Sequence, residues 1–461
     1  MSEIDILFEF ENKYPFLYDE QVNGVAVYTC LRDGVFMILR GEGSSSEINS
    51  NGRAKIYARR ILASYLKWNR YKKTKTLIFT SAVYRRDNGR NLAAEFLLEK
   101  YPNGIIFEWP SNKPAFDEAY FKDNKNYVPI EKYLIKYKLY RLFHKKELYK
   151  IENECRERIK AKFLQLSPTS ENERKAVEYI VDRLPSTVVE TELAQRVFKK
   201  LLKRYKSVEY AVDFWGSARE NIIPVLQNSP KSIELQHGII TLVHGGYVYP
   251  SFVKNCGSNL FDRTVLVYSR KDKDILCNKS IFLDKQVEII GNPRIKRYKR
   301  LFDKSAQTKK WILFTSQSYE QDGAGLGYYE KMIPLLKKFN EILQRDGKYS
   351  LAIKLHPRES ENVISRYKKE VEGVKIFDST SQLYQLLNES YLHLTATSTV
   401  LLEALEFDVP TVTLQYNVAP NSIYGFDTLH VSNVEEVESV WKKMLDRQSY
   451  EEYLEKLKAN L

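Results

Sequence analysis

The sequence predicts an α/β fold in two domains, and three observations carry this. The chain has 461 residues, more than one hydrophobic core normally organises. Short apolar runs alternate with stretches of helical periodicity along most of its length, the pattern of βαβ units. A Gly-Asn-Pro-Arg turn at 291–294 separates two such series, placing the domains at 1–293 and 294–461.

Taken in order, Ile4 to Phe10 and Gly34 to Leu39 read as early strands, and Thr76 to Thr80 as a clearer one between lysines and a serine turn. Ala54 to Trp68 and Leu92 to Lys100 have helical spacing, and Ile105 to Glu108 is a further short strand. From Tyr127 to Tyr205 the pattern is nearly all helical, broken at Ser167-Pro168 and Pro185, which predicts a helical insertion over about 127–206. Alternation returns at Val208 to Phe214, Ala218 to Leu226, Ser232 to Gln236, Thr264 to Val267 and Val287 to Ile290. Past Pro293 and the basic run RIKRYKRLFDKSAQTKK, Trp311 to Thr315 opens the second domain. A polar, glycine-bearing loop and a helix from about Tyr329 to Gln344 follow, then strands at Ser350 to Leu355 and Tyr391 to Leu394. A helix is expected from about Val400 to Phe407, and a charged helical pattern from Glu435 ends the chain.

With 43% hydrophobic and 28% charged residues the composition is that of a globular chain, not a disordered one. No apolar run reaches about 18 residues, and the opening MSEIDILFEFENKYP carries acids where a secretory leader is basic. A cytoplasmic protein is expected. Cys30, Cys155, Cys256 and Cys277 are scattered without ligand-like spacing, so neither zinc nor a disulfide framework is indicated. The net charge of +13 calls for an anionic partner. Much of it lies in residues 131–162, where Leu134, Tyr137, Leu142 and Phe143 punctuate lysines and arginines. Such a helix either rests on an anionic membrane surface or packs its apolar residues on its own domain. No nucleic-acid recognition motif is present, and nucleic acid is not expected as a partner.

The stretch from Ser350 to Leu414 holds the chemistry. SLAIKL is a buried-strand pattern that Pro357 ends, leaving His356 at the strand exit, where open α/β sheets bind ligands. Lys354 and Arg358 stand beside it. Thr397, Ser398 and Thr399 precede the next helix and offer hydroxyls and first-turn N–H groups to a phosphate, while serving equally as an ordinary helix cap. Glu403, a turn deeper, is placed to accept from ribose hydroxyls. Ser316 and Gln317 follow the first strand of the domain and are candidate phosphate contacts. The glycines at 323, 325 and 327 form neither a GxGxxG fingerprint nor a P-loop.

These motifs resemble the C-terminal half of GT-B glycosyltransferases. The resemblance is nearest to the bacterial sialyltransferases and polysialyltransferases, with their His-Pro and serine motifs, and to the CDP-glycerol and CDP-ribitol phosphotransferases of teichoic acid synthesis. It covers roughly Val208 to Leu414. It implies two Rossmann-like domains facing a cleft, with a cytidine nucleotide phosphate held by His356, Ser398 and Thr399. The Gln236 to Gly238 motif is similar to the His-Gly of the polyol phosphotransferases, which implies His237 as the base that activates the acceptor. Its strand-exit position and working pKa suit that role. Asp87, in RRDNGR, is the rival base through its likeness to an acidic sialyltransferase motif, in which Asn88 replaces the second acid. His244, in HGGYVYP, is a candidate for the acceptor side.

The expected activity is transfer of a sugar from a nucleotide-sugar donor to a cell-surface polysaccharide or its lipid-linked precursor. Asp272-Lys273-Asp274 has DxD spacing but reads as a helix start, so metal-independent chemistry without a cofactor is expected. A CDP-polyol phosphotransferase and a non-catalytic polysaccharide-assembly subunit are the alternatives. UDP-sugar epimerases share the fold and a Gly-Asn-Pro turn, but too few of their acidic catalytic residues stand in this sequence for that reading to be preferred.

Overall fold

The computed structural model describes residues 3–41, 54–68, 76–81, 91–110, 126–202, 209–212, 232–236, 238, 240–258, 261–302, 308–319, 327–356, 359, 361–378, 382–415 and 426–460. The chain divides into two compact units, Met1–Gly291 and Asn292–Leu461.

The first unit opens with α1 (Glu3–Lys13), a hairpin of β1 (Gln21–Val22) and β2 (Val25–Ala26), α2 (Arg32–Leu39) and α3 (Ala54–Trp68). Then come β3 (Thr76–Ser81), α4 (Leu92–Lys100), β4 (Ile105–Trp109), β5 (Tyr127–Pro129), α5 (Glu131–Phe143), α6 (Lys145–Phe163) and α7 (Glu171–Leu202). It closes with β6 (Glu209–Val212), β7 (Ser232–Leu235), β8 (Thr264–Val267), α8 (Arg270–Asn278) and β9 (Val287–Ile289). Its sheet is parallel in the order β5-β4-β3-β6-β7-β8-β9, so the direction of growth reverses between β3 and β6, and α5 to α7 lie in the connection that makes the reversal. The central strands are buried without alternation, because helices cover both faces of a parallel sheet.

Two expectations fail at the N-terminus. Ile4 to Phe10 and Gly34 to Leu39 are helical, not extended. Ile4, Leu7 and Phe10, and likewise Leu31, Val35 and Leu39, fall on single helix faces and enter the core, and that burial decides between two periods the short runs both satisfy. Tyr127 starts an edge strand, not a helix. Pro185 does not break α7 either. Its missing N–H releases the carbonyl of Val181, which accepts from Arg156 Nη1 at 3.0 Å, while Leu184, Val188 and Leu193 continue the buried stripe. Residues 218–226 lie outside the described ones.

Polar groups also bind this unit internally. Arg60 on α3 is buried and pairs with Glu108 of β4 at 3.0 Å and with Glu131 of α5. Arg32 is paired with Glu11 through two bonds of 2.6 and 2.8 Å.

The second unit runs α9 (Pro293–Leu301), β10 (Trp311–Thr315), α10 (Tyr328–Asp346), β11 (Ser350–Lys354), α11 (Glu361–Glu370), β12 (Lys375–Phe377), α12 (Leu383–Asn388) and β13 (Ser390–Thr395). It continues with α13 (Val400–Leu405), β14 (Thr411–Leu414), β15 (His430–Val431), α14 (Val434–Leu445) and α15 (Arg447–Lys458). The Gly-Asn-Pro-Arg turn starts α9: Gly291 has φ +68°, Asn292 caps the Arg294 N–H at 3.1 Å, and Pro293 takes the first helical position. The sheet is again parallel, in the order β12-β11-β10-β13-β14-β15. Strand order reverses between β10 and β13, whose pairing sets Phe314 beside Leu394, while β11 sets Ile353 on its other side. Helix α13 ends at Leu405, two residues short of the expected Phe407.

Candidate functional site

The candidate site of the second unit is built on the C-terminal ends of β11, β10 and β13, three neighbours in the sheet. In a doubly wound sheet the connections after the two strands at the reversal leave on opposite faces, opening a crevice between them. Ser316 to Tyr319 follow β10 and Ala396 to Thr399 follow β13, so both loops stand at that crevice.

Gln317 joins the two loops. Its Oε1 accepts from the Thr397 N–H at 2.8 Å and its Nε2 donates to Thr397 Oγ1 at 3.0 Å and to the Tyr319 hydroxyl at 3.3 Å. The Gln317 N–H donates to Tyr328 Oη at 3.2 Å. Thr395 Oγ1 accepts from the Ser398 N–H at 3.4 Å, and Ser398 Oγ accepts from the Val400 N–H at 3.2 Å. Thr399 is exposed, and its hydroxyl makes no capping bond. Glu403, one turn on, accepts from the Tyr384 hydroxyl at 3.3 Å.

On the other side of β10, His356 leaves β11 half-exposed. Lys354 is buried, and its ammonium donates to the Leu355 carbonyl at 2.9 Å. Glu359, which no motif of the sequence marks, organises this side. It accepts from the His356 N–H at 2.6 Å, the Ser316 hydroxyl at 2.6 Å and the Tyr329 hydroxyl at 2.8 Å. Burial raises its carboxyl above the usual range, against hydrogen bonds that favour the ionised form. Ser316 is itself buried and also meets Tyr367 Oη at 2.9 Å, so its hydroxyl is engaged within the protein.

Beneath the crevice lies a second residue that the sequence did not single out. His393 of β13 is fully buried, with Nε2 2.8 Å from Thr315 Oγ1 on β10 and Nδ1 2.8 Å from Thr411 Oγ1 on β14. Burial pushes its pKa down to about 3, so the ring is neutral and links three strands by hydrogen bonds.

In the first unit, Asp87 and His237 lie outside the described residues, as does Arg358 in the second. The flanks of His237 are held. Gln236 is buried, donates to the Gly238 carbonyl at 2.7 Å and accepts from the Tyr268 N–H at 2.7 Å. Asp272, whose carboxyl burial raises, forms a capping box with Ser269, and Asp274 accepts from Arg270 at 3.1 Å, so both acids of that pair serve α8. His244 is half-buried: its Nδ1 accepts from the Gly246 N–H at 3.1 Å and its ring lies edge-on to Tyr247. The loop carrying it is pinned by the buried Arg32, which donates to the carbonyls of Gly245 and Val248. The described residues contain no group of three or more His, Cys, Asp or Glu side chains that could hold a metal ion.

No protein-family model and no curated sequence matches the chain. Solved structures are similar in fold. A UDP-N-acetylglucosamine 2-epimerase is 13% identical with a TM-score of 0.51, the match covering 83% of this chain and 90% of the epimerase. The UDP-GlcNAc 2-epimerase from Neisseria meningitidis bound to UDP-GlcNAc matches at 13% and 0.49, over 83% and 94%. A glycosyltransferase from Rickettsia africae ESF-5 matches at 12% and 0.43, over 84% and 93%. The fold is of the GT-B type, with a Rossmann-like sheet in each unit. No described helix is long and apolar enough to cross a membrane.

Proposed function

We propose that this chain is a glycosyltransferase that takes a sugar from a nucleotide-activated donor, with the donor phosphates over the C-terminal ends of β10, β11 and β13. The observation that carries the reading is the reversal of strand order between β10 and β13, with two polar loops tied together there by Gln317 and Thr397. His356 and the exposed Thr399, with Ser398, Lys354 and Arg358, supply charge and donors to the leaving phosphate, and Glu403 faces the ribose. Neutralising that charge is ordinarily the larger catalytic contribution. Glu359, Gln317 and Ser316 act one layer back, holding these groups in place.

His237 is the proposed base that takes the acceptor proton, with Asp87 as its rival and His244 lining the acceptor. The acceptor is a growing cell-surface polysaccharide or its lipid-linked precursor. The His-Pro and hydroxyl motifs favour a cytidine-linked donor, while the name of the structurally similar epimerase points to a uridine nucleotide sugar. A CDP-polyol phosphotransferase would use the same cradle to attack phosphorus.

Thermal stabilisation of the purified protein by CMP, CDP, UDP and GDP tests the reading. At about one hundred times Kd a bound nucleotide adds about 2.7 kcal/mol, and His356→Ala removes most of it. Preference for CMP or CDP selects the cytidine branch and preference for UDP discards it. No response to any nucleotide at millimolar concentration overturns the donor site.

A further inference from the structure

Helix α5 is apolar on two faces, and the fold uses one of them. Tyr133 stacks on Phe198 of α7 at 4.0 Å, Tyr137 packs on the same core, and Tyr140 lies against His144 at 3.9 Å with Lys200 over its ring. These positions recur every three to four residues and face inward. Leu139, Leu142 and Phe143 form a second stripe, spaced by three and four, on the outside. They are 48, 68 and 78% exposed, and Tyr149 on the first turns of α6 is 65% exposed. Exposed leucines occur singly on most proteins, but a stripe of them at a helix corner calls for a partner.

The charge around the stripe says which. Residues 136–150 carry Lys136, Lys138, Arg141, Lys145, Lys146 and Lys150 against one acid, Glu147. Arg141 reaches Glu190 at 3.6 Å, Lys150 reaches Glu154 at 3.7 Å, and Glu147 is taken by Arg196 at 2.6 Å. Among the described residues Lys136, Lys138, Lys145 and Lys146 have no ion-pair partner, and all four are exposed. A second copy of the chain would bring these lysines against one another. Nucleic acid could stack on Phe143 and Tyr149 but would leave Leu139 and Leu142 without an apolar partner. An anionic bilayer satisfies both features at once: apolar side chains enter the acyl boundary while lysines stay at the level of the lipid phosphates.

We propose that the corner where α5 meets α6 is an interfacial anchor for an anionic lipid surface, inserted through Leu139, Leu142 and Phe143 and flanked by Lys136, Lys138, Lys145 and Lys146. Co-sedimentation of the full chain with vesicles tests this, using phosphatidylcholine alone or with about 30% phosphatidylglycerol. The chain binds the phosphatidylglycerol vesicles, and salt at about 0.5 M weakens the binding by shortening the reach of the charges. The double change Leu142→Ser and Phe143→Ser lowers the partition coefficient about tenfold or more. The triple change Lys138→Glu, Lys145→Glu and Lys146→Glu removes the preference for phosphatidylglycerol. All five side chains are exposed, so melting temperatures stay within about 2 °C of the parent.

Three results overturn the proposal. The first is failure of the parent chain to bind phosphatidylglycerol vesicles, and the second is equal binding by the serine variant. The third is tight binding of a labelled single-stranded RNA that depends on the lysines and not on Leu142 or Phe143, which would reassign the surface to nucleic acid. The vesicles contain neither donor nor acceptor, so the outcome is independent of the glycosyltransferase reading.

Discussion

Lowering the pH tests His393, because the structure buries a neutral imidazole where a protonated one would have no compensating acid among the described residues. The folded pKa is depressed to about 3 from an ordinary 6.5, with burial as the cause. Below about pH 6.5 the unfolded chain therefore takes up a proton that the native ring refuses. The stability this group contributes is complete above that pH and is lost progressively as pH falls toward 3. Between pH 7 and about 4.5 the loss is about 2.5 kcal/mol, from the ratio of the two protonation polynomials. The check is histidine-selective NMR on the full chain, with His393 assigned as the resonance missing from His393→Asn. That resonance stays at its neutral position down to about pH 4.5. The unfolding free energy of the parent from urea titration should fall more than that of the variant over the same range, by about the energy above. A His393 resonance titrating near 6.5 would refute the argument, since the ring would then be reaching water.

Two further changes probe the polar interior. Glu359→Ala leaves the Ser316 and Tyr329 hydroxyls and the His356 N–H without their acceptor, and is expected to cost about 2–4 kcal/mol by denaturant titration. Glu359→Gln keeps two of its acceptor contacts at most and should lie between parent and alanine. In Arg60→Met, two buried carboxylates, Glu108 and Glu131, lose their cation. This should destabilise the chain by about 3–5 kcal/mol, an effect largely reversed when Glu108→Gln and Glu131→Gln are added.

Much of the framework is legible in the amino-acid order because burial on both faces of a parallel sheet demands uninterrupted apolar runs. TLIFT at β3, WILFT at β10 and SLAIK at β11 could hardly be anything else. Asn292-Pro293 likewise fixes where a helix starts, through a capping side chain and a locked φ. The sequence also pointed to His356, Gln317 and Ser398 as residues of strand exits, since exits follow from the strands themselves.

Ile4 to Phe10 was beyond such reading. I-D-I-L-F-E-F satisfies a period of two as well as one of three to four, and only the core that receives Ile4, Leu7 and Phe10 chooses between them. Pro185 looked like a break because the side chain that relieves it, Arg156, lies on another helix. Glu359 and His393 were invisible as organisers for the same reason. Their partners Ser316, Tyr329, Thr315 and Thr411 come from a loop, a helix and two strands, brought within 3 Å by the packing of the second unit. Local periodicity and covalent constraint thus determined the elements and their ends. Which polar groups face one another was decided by tertiary packing, because a buried hydrogen bond depends on proximity in space that chain order does not encode.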